Sequence, residues 1–285
     1  MNTRILTVSL SSLLLLATIA DSADAPPAAG APAAATNVPT PRTADGRPDL
    51  NGVWGGGGFG FAGLGGGPQT GADAVLSAPL RNGDISNLTN DGVIQRRSGN
   101  NLPVYKPEHW DKVLQDDYDG NLLDTFNSCM PMSLPRMGPP VRIVQTPTDF
   151  IFIYTVPFQR NDFRIIPMGP RKHKLDRDGS WLGDPVARWD GDTLVVETEG
   201  FNDQTWLGPE GYIHGYELKI TERFKRNGNT MDYDVTAEDP EFLSRPWVLQ
   251  TRTLRLNTSP DYRLEESPPC SERDNKHLVG KNREM

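Results

Sequence analysis

Residues 217–239 read ELKITERFKRNGNTMDYDVTAED, and both halves alternate apolar and polar residues around Asn227-Gly228. A period of two sends successive side chains to opposite faces of a strand. Asn-Gly supplies the positive φ that a two-residue hairpin turn requires. The stretch is therefore predicted to be a β-hairpin. In its first half Leu218, Ile220, Glu222 and Phe224 share one face, while Lys219, Thr221 and Arg223 share the other. In its second half Met231, Tyr233, Val235 and Ala237 form the apolar face. One carboxylate, that of Glu222, thus falls among apolar side chains.

The same signals recur on either side. PVARWDGDTLVVETE (185–199) carries Asp190-Gly191 between two β-rich runs. VRIVQT (141–146), DFIFIYTV (149–156) and DFRIIPM (162–168) are short strands, and WVLQTRTLRL (247–256) reads as a last long one. With Leu50–Trp54 this makes about nine strands by the period-of-two reading. No helices alternate with them, so the crossovers of a parallel α/β sheet are missing. The predicted fold is all-β, an antiparallel lipocalin-like β-barrel of about eight to nine strands. PEHWDKVLQDDY (107–118) is predicted as one peripheral helix, with Trp110, Val113 and Leu114 on one face. The Gly-rich stretch 55–71 is predicted as a loop.

Residues 1–22 read as a signal peptide: Arg4, an uncharged run from Ile5 to Ile19, then small residues at Ala20 and Ser22. The run is shorter than the ~20 apolar residues of a membrane-spanning helix. Residues 23–41 form an Ala/Pro-rich linker without amphipathic period, and 42–285 read as a single β-barrel domain. This organisation predicts a periplasmic or secreted protein with no integral membrane segment in the mature chain. The two cysteines, Cys129 and Cys270, are then expected to pair. Such a bridge closes a loop of about 140 residues, worth about 5 kcal/mol in the chain-entropy view.

The 285 residues carry 29 Lys and Arg against 37 Asp and Glu, a net charge of −8. That balance argues against a nucleic-acid partner and against docking on an anionic membrane. Gly58 to Gly63 matches G-x-G-x-x-G, but no helix opens inside it and no βαβ unit surrounds it, so no dinucleotide is expected. H-E-x-x-H, paired C-x-x-C and G-x-S-x-G are all missing from the sequence. Neither a metal nor a cofactor is predicted.

Arg164 shares its strand face with Ile166 and Met168, so an inward Arg accompanies the inward Glu222. The two either satisfy each other structurally or serve as polar contacts in a ligand cavity. The leading functional reading is a module binding a small apolar or aromatic molecule inside the barrel. Arg164, Tyr154, Trp181, Trp189, Trp206 and Tyr233 are its candidate contacts. A second reading is a cofactor-independent lyase, isomerase or hydrolase. There His173 and His214 would carry protons and Glu222 would be a carboxylate tuned by burial, with Asp203 and Asp239 in reserve. A third, drawn from the linker and the acidic surface, is an envelope interaction protein.

PRTADGRPDLNGVW, RIVQTPTDFIFIY, FRIIPM, GDPVARWDGDTLVVETEGFNDQTWL, LKITERF and EDPEFLSRPW together resemble a large family of exported bacterial proteins. That family is functionally uncharacterised and β-barrel-like. The likeness runs from Arg42 to about Asn275 and is most specific over 188–202. Gly52-Val53-Trp54 also looks like the G-x-W that opens lipocalin strands. The family's D-G-R-x-H pattern is here Met168-Gly169-Pro170-Arg171-Lys172-His173, which keeps Arg and His without the Asp-Gly turn. The resemblance implies export and a barrel, and brings no catalytic residues.

Overall fold

The structure, a computed structural model, describes residues 38–55, 102–119, 123–155, 162–174, 178–208, 211–264 and 270. The predicted signal peptide, most of the linker, nearly all of the Gly-rich stretch and His277 lie outside the described residues.

Ten strands form one antiparallel sheet. They are β1 (Gly52–Gly55), β2 (Arg142–Gln145), β3 (Asp149–Ile153), β4 (Phe163–Pro167) and β5 (Asp184–Asp190). β6 (Thr193–Glu199), β7 (Lys219–Asn227), β8 (Thr230–Glu238), β9 (Trp247–Val248) and β10 (Arg252–Leu256) complete it. Their order is β4-β3-β2-β1-β10-β8-β7-β6-β5, with β9 beside β8. The two ends of this path meet where Met168 bridges Ala187 in parallel and the Gly169 amide donates to the Ala187 carbonyl at 3.2 Å. The result is a nearly closed nine-strand barrel, as the hairpin signals predict.

The hairpin that decided the fold is in place. β7 and β8 pair from Lys219↔Glu238 to Asn227↔Thr230 around a Gly228 with φ of +60°. Every second residue of both strands is buried. Inside, Phe152 meets Phe224 edge-on at 5.1 Å between ring centres, and Phe224 lies 4.9 Å from Tyr233. Phe150 continues the column to Phe152 and to Trp189, each at 6.1 Å. Side chains fill the middle of the barrel, as expected for a barrel of this strand number.

The predicted last strand divides in two. β9 pairs with β8 at Thr236↔Val248, and β10 does so at Tyr233↔Arg252. Between those pairs residues 249–251 oppose only residues 234–235, so the strand carries one extra residue, a β-bulge. The bulge shifts the in-out phase: Trp247 and Leu249 are buried on one side of it, and Leu254 on the other. A continuous period of two would have sent Leu254 outward.

The two ends of the barrel are closed differently. Residues 38–50 cross the end that carries the β5–β6 and β7–β8 turns. The Gly228 amide donates to Thr40 Oγ1, Arg42 pairs with Asp192 at 2.6 Å, and Arg47 donates to the Gly191 carbonyl. Buried Arg226 donates to the Asp49 and Gly228 carbonyls and lies 5.1 Å from the Trp54 ring. Thr40, on the linker side of the predicted boundary, is therefore already held by the barrel.

Irregular chain covers the opposite end. The predicted helix forms as a 3₁₀ turn (Pro107–His109) leading into α1 (Trp110–Tyr118). α1 packs on the β6–β7 connection, where a Cβ on Gly211 would stand 2.6 Å from the Val113 carbonyl oxygen. Trp110 meets Tyr105 at 5.4 Å, Tyr105 donates its hydroxyl to the Ile213 carbonyl, and His109 stacks on Phe242 at 4.3 Å. A second 3₁₀ turn (Thr125–Ser128) is capped by the Asp124 carboxylate. Arg136 and Asp124 form a buried bidentate pair at 2.9 and 2.6 Å. The predicted disulfide between Cys129 and Cys270 is formed. Among the described residues, no helix is long and apolar enough to cross a membrane.

Gly211 holds a φ of +69° against the backbone of α1. Gly211→Ala is expected to lower unfolding stability by about 2 kcal/mol or more, from left-handed strain joined to a backbone clash. Urea denaturation checks this; an unchanged midpoint would mean that α1 is not docked there.

Candidate functional site

Five buried polar side chains converge in the barrel from four strands and one strand end. Arg164 on β4 donates from Nη1 to Glu222 Oε2 on β7 at 2.6 Å, and both side chains are at most 1% exposed. The same Nη1 donates to the Tyr154 hydroxyl at 3.0 Å, and Nη2 donates to Thr198 Oγ1 on β6 at 2.7 Å. Tyr233 on β8 donates its hydroxyl to Glu222 Oε1 at 3.1 Å. Of the two readings open at the sequence level, the closed structural pair is the one formed. Both carboxylate oxygens are occupied.

Electrostatics follow from this enclosure. Burial, and then the adjacent Glu222 carboxylate, push the Tyr233 phenol well above its ordinary range. Burial likewise raises Tyr154. Burial would lower Arg164, but Glu222 and the Tyr154 hydroxyl outweigh it and hold the guanidinium firmly charged. The network carries opposite charges that neutralise each other.

The two histidines stand elsewhere. His173 donates Nδ1–H to the Asp184 carbonyl at 2.7 Å, and Arg171 grips the Asp184 carboxylate with 2.9 and 2.6 Å bonds. His214 is 2% exposed in the β6–β7 connection. Its Nδ1–H donates to the Gly215 carbonyl at 3.0 Å, and its Nε2 accepts from the Thr205 hydroxyl at 2.8 Å. No hydrogen bond, ion pair or ring contact among the described residues joins His173, His214 and Glu222. The acid–base constellation of the enzyme reading is therefore not assembled: Glu222 is closed off by Arg164, and each histidine is held by its own loop. The reserve carboxylates are engaged as well. Asp203 accepts from the Tyr216 hydroxyl at 3.1 Å, and Asp239 accepts the amides of Gly215, Glu241 and Phe242.

Of the six candidate ligand contacts, the structure brings together Arg164, Tyr154 and Tyr233, but as partners of Glu222. The tryptophans are dispersed. Trp189 stands half-buried beside Phe150 with Arg47 5.8 Å from its ring, Trp206 is buried in the β6–β7 connection, and Trp181 is half-buried just before β5. A cleft of about 800 Å³ lies at the loop-covered end. Its lining comes from the end of β6 (Glu199, Gly200), the approach to β7 (Tyr216–Lys219), the end of β8 (Glu238), the following loop (Asp239–Pro246) and Lys106. Pro240, Pro246 and the Tyr216 ring provide its apolar surface, backed by the buried Leu218 and Leu243. Of these residues the sequence reading singled out only Asp239. The others come from separate segments that share no motif, and their strand-end positions were the one signal pointing to them.

Because the Arg164–Glu222 pair is buried, removing one partner strands the other charge. Arg164→Met alone or Glu222→Met alone is expected to cost about 3–5 kcal/mol. The double variant Arg164→Met/Glu222→Met, which removes both charges, should cost less than either single change. Urea unfolding of the four proteins gives the coupling, and simple additivity would show that the pair is not formed.

His214 is held neutral: burial lowers it from its ordinary value of 6.5, against the opposing pull of the Gly215 carbonyl, Asp239 and Asp203. The folded protein thus binds fewer protons there than the unfolded chain. Its contribution to stability is present above pH 6.5 and is lost as the pH falls below that value. His214→Gln should flatten the stability–pH curve between pH 6.5 and 4.5 relative to the parent, measured by thermal unfolding at fixed ionic strength.

Among the described residues, no three His, Cys, Asp or Glu side chains cluster as a metal site. Comparison of the chain with family models, with curated proteins and with solved structures finds no match in any of the three.

Proposed function

We propose that this is an exported binding module, belonging with the barrel family its motifs resemble, that takes a small molecule with an apolar or aromatic body into the cleft at the loop-covered end. The cleft itself carries the reading. Its volume of about 800 Å³ lies within the ~300–1,000 Å³ of small-molecule sites, and its walls set apolar surface beside a few polar groups. The rigid barrel beneath and the loops above form the usual division of labour between scaffold and recognition. Export is supported by the leader-like first 22 residues and by a disulfide that suits an oxidising compartment.

A thermal-shift and calorimetric panel of benzoate, indole, naphthol and decanol tests this. At least one member is expected to stabilise the protein and to bind with 1:1 stoichiometry. Tyr216, half exposed on the cleft wall, gives the companion variant: Tyr216→Glu should weaken that binding about tenfold, or ~1.4 kcal/mol. A panel without any stabilisation, coupled to capture of an envelope protein by crosslinking, would overturn the binding module in favour of the interaction protein.

A further inference from the structure

The charged groups of the cleft fall into two sets. The first is engaged by the fold. Lys106 donates Nζ to the Pro240 carbonyl at 2.6 Å, Asp239 accepts three backbone amides, and Lys219 stands 3.6 and 3.9 Å from Glu197 and Glu199. The second set is Glu217, Glu238 and Arg245. These three line the same cleft and make no hydrogen bond or ion pair among the described residues. Opposite charges are thus gathered in one cavity without quenching each other.

Their positions in the chain are orderly. Glu238 ends β8 directly opposite Lys219 in the sheet register, and Glu217 lies two residues before Lys219. Both carboxylates therefore rise from the loop-covered end of the barrel, where β7 begins and β8 ends. Arg245 comes instead from the loop between β8 and β9. Pro240, Pro246 and the Tyr216 ring supply apolar surface in the same cavity.

We propose that the cleft recognises a zwitterion with an apolar side chain, namely a hydrophobic α-amino acid or a short peptide. This rests on the cleft being the binding site argued above. The ammonium group meets Glu217 and Glu238, and the carboxylate meets Arg245, whose planar guanidinium can accept it through two parallel hydrogen bonds. The side chain lies over Pro240, Pro246 and the Tyr216 ring. A cavity of about 800 Å³ admits a dipeptide with room for its side chains. A purely apolar ligand leaves all three charged groups to compete with water at the mouth, whereas a zwitterion satisfies both signs at once.

Calorimetric titration of the whole mature protein with four forms of one dipeptide tests the inference: free Leu-Phe, its N-acetyl form, its C-terminal amide, and the doubly blocked form. The free dipeptide is expected to bind at least ~10-fold more tightly than either singly blocked form, as one charge-assisted contact warrants. Arg245→Gln should remove the advantage of a free carboxylate while leaving the amide's affinity unchanged. Glu217→Gln/Glu238→Gln should do the same for the amino end. All three side chains are at the surface or half-buried, so the variants keep the fold. Equal binding of all four forms, or loss of affinity on blocking one end only, overturns the zwitterion and leaves the cleft as a binding site. Failure of all four forms, together with failure of the neutral aromatic panel, overturns the cleft itself.

Discussion

The buried ion pair between Arg164 and Glu222 is the constraint around which the barrel is arranged. β4 stands at the open seam of the sheet, paired along its length only with β3 and joined to β5 by a single bridge. Arg164 reaches from that strand across the interior to β7, with Thr198 on β6 and the two tyrosines completing its surroundings. A slip of one residue in β4 would turn Arg164 to solvent and leave Glu222 buried without its counter-charge. Hydrophobic residues of similar volume would hold the strand as firmly, but they would tolerate the wrong register better. The pair is best understood as a register key, and its cost is the full occupation of the barrel's middle.

The two ends of the barrel have different chemistry. At the turn end, arginines from the N-terminal segment and β7 donate to backbone carbonyls of the turns and of residues 38–50, which leaves little unpaired backbone. At the other end a carboxylate and an imidazole organise longer connections. Asp239 gathers three amides, and His214 fixes Thr205 and the Gly215 carbonyl. Longer connections that carry their own hydrogen bonds leave concavities between them, and the cleft lies there.

Much of this frame could be read in the residues. The two-fold period of 217–239 and the Asn227-Gly228 turn specify a hairpin whose register agrees with that reading throughout. Phase alone placed Glu222 and Arg164 inside. Whether they pair with each other or face a ligand stayed open, because that depends on how β4 closes the barrel on a strand 58 residues away in sequence. The bulge at 249–251 was hidden for a related reason: VLQT offers no Gly or Pro, and the extra residue exists only relative to β8. The histidines misled because loop position and side-chain chemistry carry no information on direction. His214 looked available for proton transfer, yet its loop turns it inward.

The cleft and the barrel are mechanically one object, despite the separate origins of the lining residues. Tyr216 and Glu217 directly follow Gly215, whose carbonyl holds His214 and whose amide is held by Asp239. Asp239 in turn anchors the first turn of the 239–246 loop, on which Arg245 and Leu243 stand. Lys106, from the approach to α1, is tied to the same loop through the Pro240 carbonyl, and Tyr105 bridges Leu243. Each wall is thus tied by hydrogen bonds to a neighbouring segment. Walls held in this way need little ordering when a ligand enters, so less of the interaction energy is lost to entropy on binding. A polar cavity between loops that are fixed in this way can therefore be a selective one.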